Sequence, residues 1–103
     1  MAIRLEQALN YLGKDRWEYS VWLEGASDEL DAIDHVRYNL AGGGYRHPVH
    51  EIADRTSGFR LNGLKTWPPA FPIFATAFHR DGSVTQLQHQ LQLLYPDGTP
   101  AAA

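Results

Sequence analysis

The stretch Ser83-Val-Thr-Gln-Leu-Gln-His-Gln-Leu-Gln-Leu-Leu-Tyr95 alternates polar and apolar side chains along its length. Its glutamines share one parity, whereas Leu87, His89 and Leu91 share the other. Strict alternation of this length is typical of a β-strand with one buried face and one wet face, and a helix would scatter the glutamines around its surface. We therefore predict a strand that buries its leucines and exposes Gln86, Gln88, Gln90 and Gln92.

The dipeptide Asp81-Gly82, just before this stretch, is a strong signal for a two-residue type I′ hairpin turn. The run Phe71–His79 is then the predicted partner strand, with Phe74 opposite His89. This pairing register can be tested against the structure, because a slip of one residue moves every side chain of a strand to the other face. It puts aromatic rings in the core and small side chains on the glutamine face: Phe74 and Phe78 inside, Ala75 and Ala77 outside.

Shorter alternating runs separated by turn residues continue upstream. They predict strands at Ile3–Leu12, which also fits helical spacing, and at Trp17–Glu24, Val36–Leu40, Val49–Ala53 and Phe59–Leu61, with a short helical turn starting near Ser27. Asn62-Gly63 is predicted as a turn, and Leu64–Ala70, with two prolines, as a loop. About seven strands at this spacing predict an all-β antiparallel sandwich. Residues 1–96 are predicted to form a single domain and residues 97–103 a flexible tail.

The bulk composition excludes several classes of function. The chain has 103 residues, 44% of them hydrophobic, so it can bury a core. Its net charge is −3 and its nine basic residues are dispersed, which argues against a nucleic-acid partner. The lack of cysteine excludes a thiolate metal site and a cysteine nucleophile. With no charged-then-apolar leader and no apolar run near 18 residues, we expect no membrane association and a cytoplasmic protein.

Titratable residues give no motif for catalysis or metal binding. His47 and His50 would point to opposite faces of a strand, so they predict no shared ion, and His89 is interpreted as a hydrogen-bonded edge or core histidine. The acidic cluster Glu24, Asp28, Glu29, Asp31 and Asp34 lacks the order of a calcium loop. No nucleophile elbow, phosphate loop or zinc-protease motif occurs. We therefore predict a non-enzymatic protein without metal or cofactor.

Two aromatic residues on predicted loops are the candidates for binding. Tyr45 follows the glycine-rich segment Gly42–Gly44, and Trp67 precedes two prolines. Loops held by a rigid scaffold often carry binding residues, and two facing rings would form a slot for a flat neutral group or a cation. The alternative is that each ring caps one end of the core. A third aromatic residue, Trp22, breaks the polar face of its strand and needs either packing or a ligand.

Several motifs in order resemble the YEATS domain family, most closely its prokaryotic branch. They are Tyr19–Gly25, Leu30–Leu40, Pro48-Val49, Asp54–Leu61 and Trp67–Phe71, and the resemblance extends from about Arg16 to Leu94. It implies an immunoglobulin-like antiparallel β-sandwich of about seven to eight strands. It also implies a binding module, since eukaryotic members read acetylated or crotonylated lysine by inserting the acyl amide between aromatic rings from two loops.

The matching loops are Ala41–Pro48 and Leu64–Phe71, so the resemblance implies a ligand site at Tyr45, Trp67, Gly44 and Thr66. The family's histidine falls at Ala41 or Gly42, its hydroxyl residue at Gly44, and its glycines at Thr66 and Pro68. A buried amide that loses such a partner costs about 1–3 kcal/mol, which predicts weaker acyl-lysine binding.

Two functions follow from the resemblance and the residues together. The first is recognition of a peptide or protein group, with acylated lysine as the candidate ligand, in a signalling context. The alternative is a protein–protein interaction or homodimerisation domain with a degenerate acyl-lysine pocket. It would use a sheet face, with Trp22 and the glutamine face Gln86–Gln92 as the candidate surfaces.

Overall fold

A computed structural model describes residues 3–65 and 68–101. Within them, seven strands form two antiparallel sheets: β1 Arg4–Gly13, β2 Arg16–Glu24, β3 Ile33–Asn39, β4 Val49–Ile52, β5 Leu61–Lys65, β6 Ala70–His79 and β7 Val84–Gln92. One sheet has the order β1-β2-β5 and the other β4-β3-β6-β7. A five-residue helix, α1 Ser27–Asp31, leads into β3. The predicted all-β sandwich with one helical turn is confirmed. No helix in the described residues is long and apolar enough to span a membrane.

The core lies between the two sheets and is built from alternate residues of each strand. β2 contributes Trp17, Tyr19, Val21 and Leu23, and β6 contributes Phe71, Ile73, Ala75 and Ala77, all nearly inaccessible to solvent. The period-2 pattern of β2 and β7 therefore identified their inward faces correctly. Ile3–Leu12, which fitted either helix or strand, lies in β1 from Arg4 onward, where Arg4 pairs with Glu24 of β2.

The hairpin β6–β7 differs from the predicted register by one residue. Phe74 lies opposite Gln88 rather than His89, and Phe78 lies opposite Val84. The connecting loop has three residues, Arg80 to Gly82, because the His79 N–H donates to the Ser83 carbonyl at 2.9 Å and Gly82 adopts a positive φ of 91°. A three-residue loop ending in a left-handed residue is the next most common hairpin after the two-residue turn.

This shift reverses the two faces predicted for β6. Ala75 and Ala77 are fully buried, whereas Phe74 is 44% exposed on the same face as the glutamines. The prediction that Phe74 and Phe78 lie in the core is therefore wrong. Phe71 and Ile73 fill the core on this strand instead.

The segment from Phe59 to Lys65 also departs from prediction. Phe59 is buried with a left-handed φ of 58°, and the strand begins only at Leu61. Asn62-Gly63 is not a turn, because both residues pair with β2 inside β5. Gly63 lies opposite Tyr19, whose ring packs where a side chain would otherwise project. Leu64 and Lys65, predicted as loop, extend the same strand.

The C-terminal segment folds back on the sandwich. The Tyr95 N–H donates to the Thr99 carbonyl, and the Ala101 N–H donates to the Leu93 carbonyl, both at 2.9 Å. Leu94 and Pro100 form an isolated bridge. Residues 97–101 are thus attached by backbone hydrogen bonds, while the flexibility predicted for 97–103 stays a prediction.

Candidate functional site

The glycine-rich loop that carries Tyr45 is closed and ordered by backbone bonds. The Leu40 N–H donates to the Pro48 carbonyl at 2.8 Å, which joins the two ends of the loop. A 3₁₀ turn spans Ala41–Gly43, and Gly44 follows with a left-handed φ of 76° that favours glycine. This conformation turns the chain so that Tyr45 points back toward the sandwich.

Tyr45 is half-buried, and its contacts are with core residues. Its hydroxyl donates to the Tyr19 hydroxyl at 2.7 Å and lies 3.2 Å from the Leu64 carbonyl oxygen. Its ring meets the edge of Phe71 at a centroid distance of 6.2 Å. Burial, with the bond to Tyr19, raises the pKa of Tyr45, and burial raises the pKa of Tyr19. Both hydroxyls therefore stay protonated at neutral pH and serve as hydrogen-bonding groups rather than as proton acceptors.

Lys65 completes this cluster, and the sequence prediction missed it. It ends β5 on the same parity as Leu61 and is only 8% exposed, with its ammonium 4.1 Å from the centre of the Tyr45 ring and 5.5 Å from that of Phe71. Burial lowers the pKa of Lys65. The signal that could have found it is the alternation Leu61, Gly63, Lys65, which continues the inward face of β5.

Residues on both sides of the second predicted loop meet the Tyr45 loop. Leu64 and Lys65 contact Tyr45 from one side, and Phe71 packs on it from the other. Gly42 lies so close to Pro72 that an added Cβ would be 3.0 Å from its Cδ. The candidate site residues Thr66 and Trp67 themselves lie outside the described residues. Tyr45 and Gly44 are therefore located, and the pairing of Tyr45 with Trp67 stays a prediction.

The other residues singled out from the sequence are held by contacts within the chain. Trp22 is covered by the Arg60 guanidinium, 4.2 Å from its ring, and its indole N–H donates to Glu24 at 2.8 Å. His89 bonds Gln7 across the corner between β7 and β1, as expected of an edge histidine. In the acidic cluster, Asp31 pairs with Arg55 at 2.8 Å.

No group of three or more His, Asp or Glu in the described part of the chain is arranged to hold a metal ion. A shallow cavity of about 520 Å³ lies beside the edge strand β1, and Tyr45 is not among its lining residues, which are Gln7, Ala8, Leu9, Asn10, Tyr11, Leu94, Tyr95 and Pro96.

A comparison with protein families matches residues 17–92 to the prokaryotic YEATS domain. The matched range extends from Trp17 near the start of β2 to Gln92 at the end of β7, so it includes the sequence segments Ala41–Pro48 and Leu64–Phe71. The comparison with curated proteins gives no match.

Proposed function

Because the chain belongs to the prokaryotic YEATS domain family, a family of binding modules, we propose that it recognises a neutral acylated lysine on a peptide or protein partner. The proposed site is the end of the sandwich where the loop Ala41–Pro48 meets residues on both sides of Trp67. The proposal includes that the protein is not an enzyme, and that it acts in a signalling context in the cytoplasm.

The observation that carries the proposal is the position of the Lys65 ammonium against the Tyr45 ring. A cation already lies over one face of that ring, so a second, unmodified lysine entering beside it meets a like charge. Two unit charges 4 Å apart interact by about 4 kcal/mol at the effective dielectric constant near a protein surface. An acylated lysine carries no charge and escapes this repulsion, which favours the neutral group over the cation.

The hydroxyl pair supports recognition rather than reaction. Tyr19 and Tyr45 are bonded to each other, and their raised pKa values keep them as neutral donors. General acid–base catalysis at neutral pH is most efficient with a group whose pKa is near 7, and burial moves the pKa of both tyrosines further from that value.

The test is an NMR titration of the 15N-labelled protein with acetyl-lysine and crotonyl-lysine peptides, using the same peptide with unmodified lysine as the control. We expect the acylated peptides to shift the amide signals of the loop Ala41–Pro48 and of Lys65, and the unmodified peptide to shift them far less. An absence of shifts at millimolar acyl-lysine peptide would remove acyl-lysine as the ligand.

A pair of variants separates the roles of ring and charge. Tyr45→Leu keeps an apolar side chain but removes the aromatic face, worth about 0.5–1.5 kcal/mol beyond its buried area, so we expect acyl-lysine binding to weaken by up to about tenfold. Lys65→Met removes the charge, so the preference for acylated over unmodified peptide should fall. Phe78→Leu, at the opposite end of β6 from Phe71, is the matched control and should change neither.

A further inference from the structure

A groove runs along β1, the strand at one edge of the three-stranded sheet. We call it the β1 groove; it is the cavity of about 520 Å³ lined by residues 7–11 of β1 and by residues 94–96, which follow β7. Successive side chains of a strand point to opposite faces of a sheet, so a cavity on one face would be lined by every second residue. Five consecutive lining residues therefore indicate that the groove follows the edge of β1, where a further strand of the sheet would lie.

The backbone groups that β1 directs into this groove follow from the pairing of β2. The Leu23 N–H donates to the Gly58 carbonyl at 2.9 Å, so the backbone of Leu23 points away from β1. Its partner across the pair is Leu5, and the register is unbroken from there to Tyr11. In an antiparallel pair, opposite residues either bond each other or both point away. Leu5 and every second residue up to Tyr11 therefore direct their N–H and C=O groups outward.

These outward groups of β1 accept and donate no hydrogen bond within the described part of the chain. A free edge of this kind is a template for another chain, and proteins commonly blunt it with a short strand, proline or lysine. The edge strands β4 and β5 are short, with four and five residues. β1 has ten residues and contains neither proline nor lysine. Its edge is therefore long and unprotected.

The edge strand β7 borders the same opening, but its outward carbonyl groups near the groove already have partners. The Gln7 side-chain amide lies 3.5 Å from the Gln92 carbonyl oxygen. The indole N–H of Trp17 donates to the Leu94 carbonyl at 2.8 Å. Of the two strands at this opening, β1 is therefore the one that can accept a new strand without breaking a bond.

The lining of the β1 groove favours an uncharged occupant. No described residue that lines it is Asp, Glu, Lys, Arg or His, so an acidic or phosphorylated group would find no ionic partner there. Leu9 and Leu94 offer apolar surface, and the rings of Tyr11 and Tyr95 meet edge to face at 5.5 Å. The whole chain carries a net charge of −3, so a second copy would approach against like charge. A neutral or basic segment of a different protein meets no such repulsion.

We propose that the β1 groove binds an extended segment of a partner protein, which adds to β1 as an antiparallel strand. The segment has apolar side chains at every second position and no acidic residue. In recognition of this kind, main-chain hydrogen bonds give affinity and pockets for alternate side chains give specificity. The strand pairs of both sheets in the described residues are antiparallel, and antiparallel pairing is slightly more stable per residue than parallel pairing.

This proposal is independent of the acyl-lysine site. Residues 7–11 and 94–96 lie outside the range 17–92 that matches the prokaryotic YEATS domain. Tyr45 and Lys65 do not line the groove. Failure of either proposal therefore leaves the other intact.

NMR titration of the 15N-labelled protein with a synthetic peptide tests the proposal. The probe has about seven residues, a common strand length, of alternating valine and threonine, with a lysine added at each end. We expect the amide signals of Gln7, Leu9 and Tyr11 to shift and their amide protons to exchange more slowly with water. An absence of shifts at millimolar probe, or shifts confined to the edges β4, β5 or β7, would overturn the proposal.

Two N-methylated forms of the probe make a matched pair. Opposite residues of an antiparallel pair share a face, so the valines that enter the groove also direct their N–H groups at β1. Methylating the valine nitrogens should weaken binding about tenfold or more, because several hydrogen bonds of modest net strength are lost together. Methylating the threonine nitrogens should have little effect. Equal effects of the two forms, or the reverse order, would rule out the proposed pairing.

A pair of proline variants tests the protein side. Leu9→Pro removes one outward N–H, and an edge strand tolerates proline where the N–H faces solvent. Asn62→Pro is the matched control on the opposite edge of the sheet, where the Tyr45 hydroxyl reaches the Leu64 carbonyl; the backbone of Asn62, two residues earlier, therefore also points outward. Leu9→Pro should weaken binding of the probe about tenfold, and Asn62→Pro should bind it as wild type does. Equal binding by both variants would contradict the proposal, and the methylated probes test it even if a variant fails to fold.

Discussion

Replacing Gly63 with alanine tests how the fold holds the candidate site. Gly63 lies opposite Tyr19 in the β2–β5 pair. A Cβ added at Gly63 would lie 2.6 Å from both Cζ and the hydroxyl oxygen of Tyr19, a separation that forces one of the two to move. Tyr19 is almost fully buried and its hydroxyl accepts a bond from Tyr45, so its movement disturbs the core and the site together.

The expected loss of stability follows from three contributions. Overpacking a core costs about 1–3 kcal/mol, and losing the bond between the two tyrosine hydroxyls costs about 1 kcal/mol more. Alanine recovers about 0.5–1 kcal/mol relative to glycine in the middle of a strand. The free energy of unfolding of Gly63→Ala should therefore be lower by about 1–3 kcal/mol. Because this free energy falls by about 1–3 kcal/mol per molar urea, the midpoint of urea unfolding should be lower by about 1 M.

The measurement is urea unfolding followed by tryptophan fluorescence, with NMR of the Tyr45 signals in the native state. Leu64→Ala, an exposed neighbour in the same strand, should stay within about 0.5 kcal/mol of wild type. In a Tyr19→Leu background the cost of Gly63→Ala should largely disappear, because the ring that blocks the methyl is gone. A Gly63→Ala protein as stable as wild type would refute the reasoning, since the Tyr19 ring would then be free to yield.

Three further predictions concern the register and the Tyr45 cluster. Ile73→Ala should cost about 2–5 kcal/mol in urea unfolding, as for other large-to-small core changes, whereas Phe74→Ala should cost about 1 kcal/mol or less, because Phe74 is exposed. The reverse order of costs would contradict the observed register and favour the predicted two-residue turn. Tyr45→Phe should cost about 1–2 kcal/mol by leaving buried polar groups of its partners unsatisfied, and a variant of unchanged stability would show that water replaces the hydroxyl. Burial lowers the pKa of Lys65, so the unfolded chain binds the Lys65 proton more tightly than the folded protein does. The stability of wild type relative to Lys65→Met should therefore rise with pH, from the lowered pKa up to the unfolded value of about 10.4. If urea unfolding gave a stability difference that is flat or falls over this pH range, it would contradict the burial of the ammonium.

The faces of single strands could be predicted from the sequence because side-chain parity is a property of the strand itself. The exposed glutamines of β7 and the buried parity of β2 needed no knowledge of their neighbours. The pairing of β6 with β7 needed the length of the connecting loop, and Asp81-Gly82 is compatible with both a two-residue and a three-residue loop. Hydrophobicity favoured the wrong one of these two registers, because that register buries Phe74 and Phe78, whereas the observed register buries Ala75 and Ala77.

Glycine and lysine caused the misinterpretation of β5. Asn62-Gly63 has the composition of a turn, yet the glycine is needed because the Tyr19 ring occupies the space beside it. Lysine is almost never fully buried unless it has partners. The inward parity of Lys65 was therefore not enough to predict from the sequence that its side chain is buried. Both exceptions come from tertiary packing that no local pattern encodes: the Tyr19 ring beside Gly63, and the Tyr45 and Phe71 rings beside Lys65.

The bonding capacity of Tyr45 is already largely used by contacts within the chain. At the Tyr45 end of the sandwich, the hydroxyl and the ring of Tyr45 are engaged by Tyr19, Phe71 and Lys65. The proposed acyl-lysine ligand would therefore use the remaining loop surface or displace Lys65, and its lack of charge would be favoured beside that ammonium. The proposed specificity thus depends on the charge of Lys65 more than on new hydrogen bonds to Tyr45.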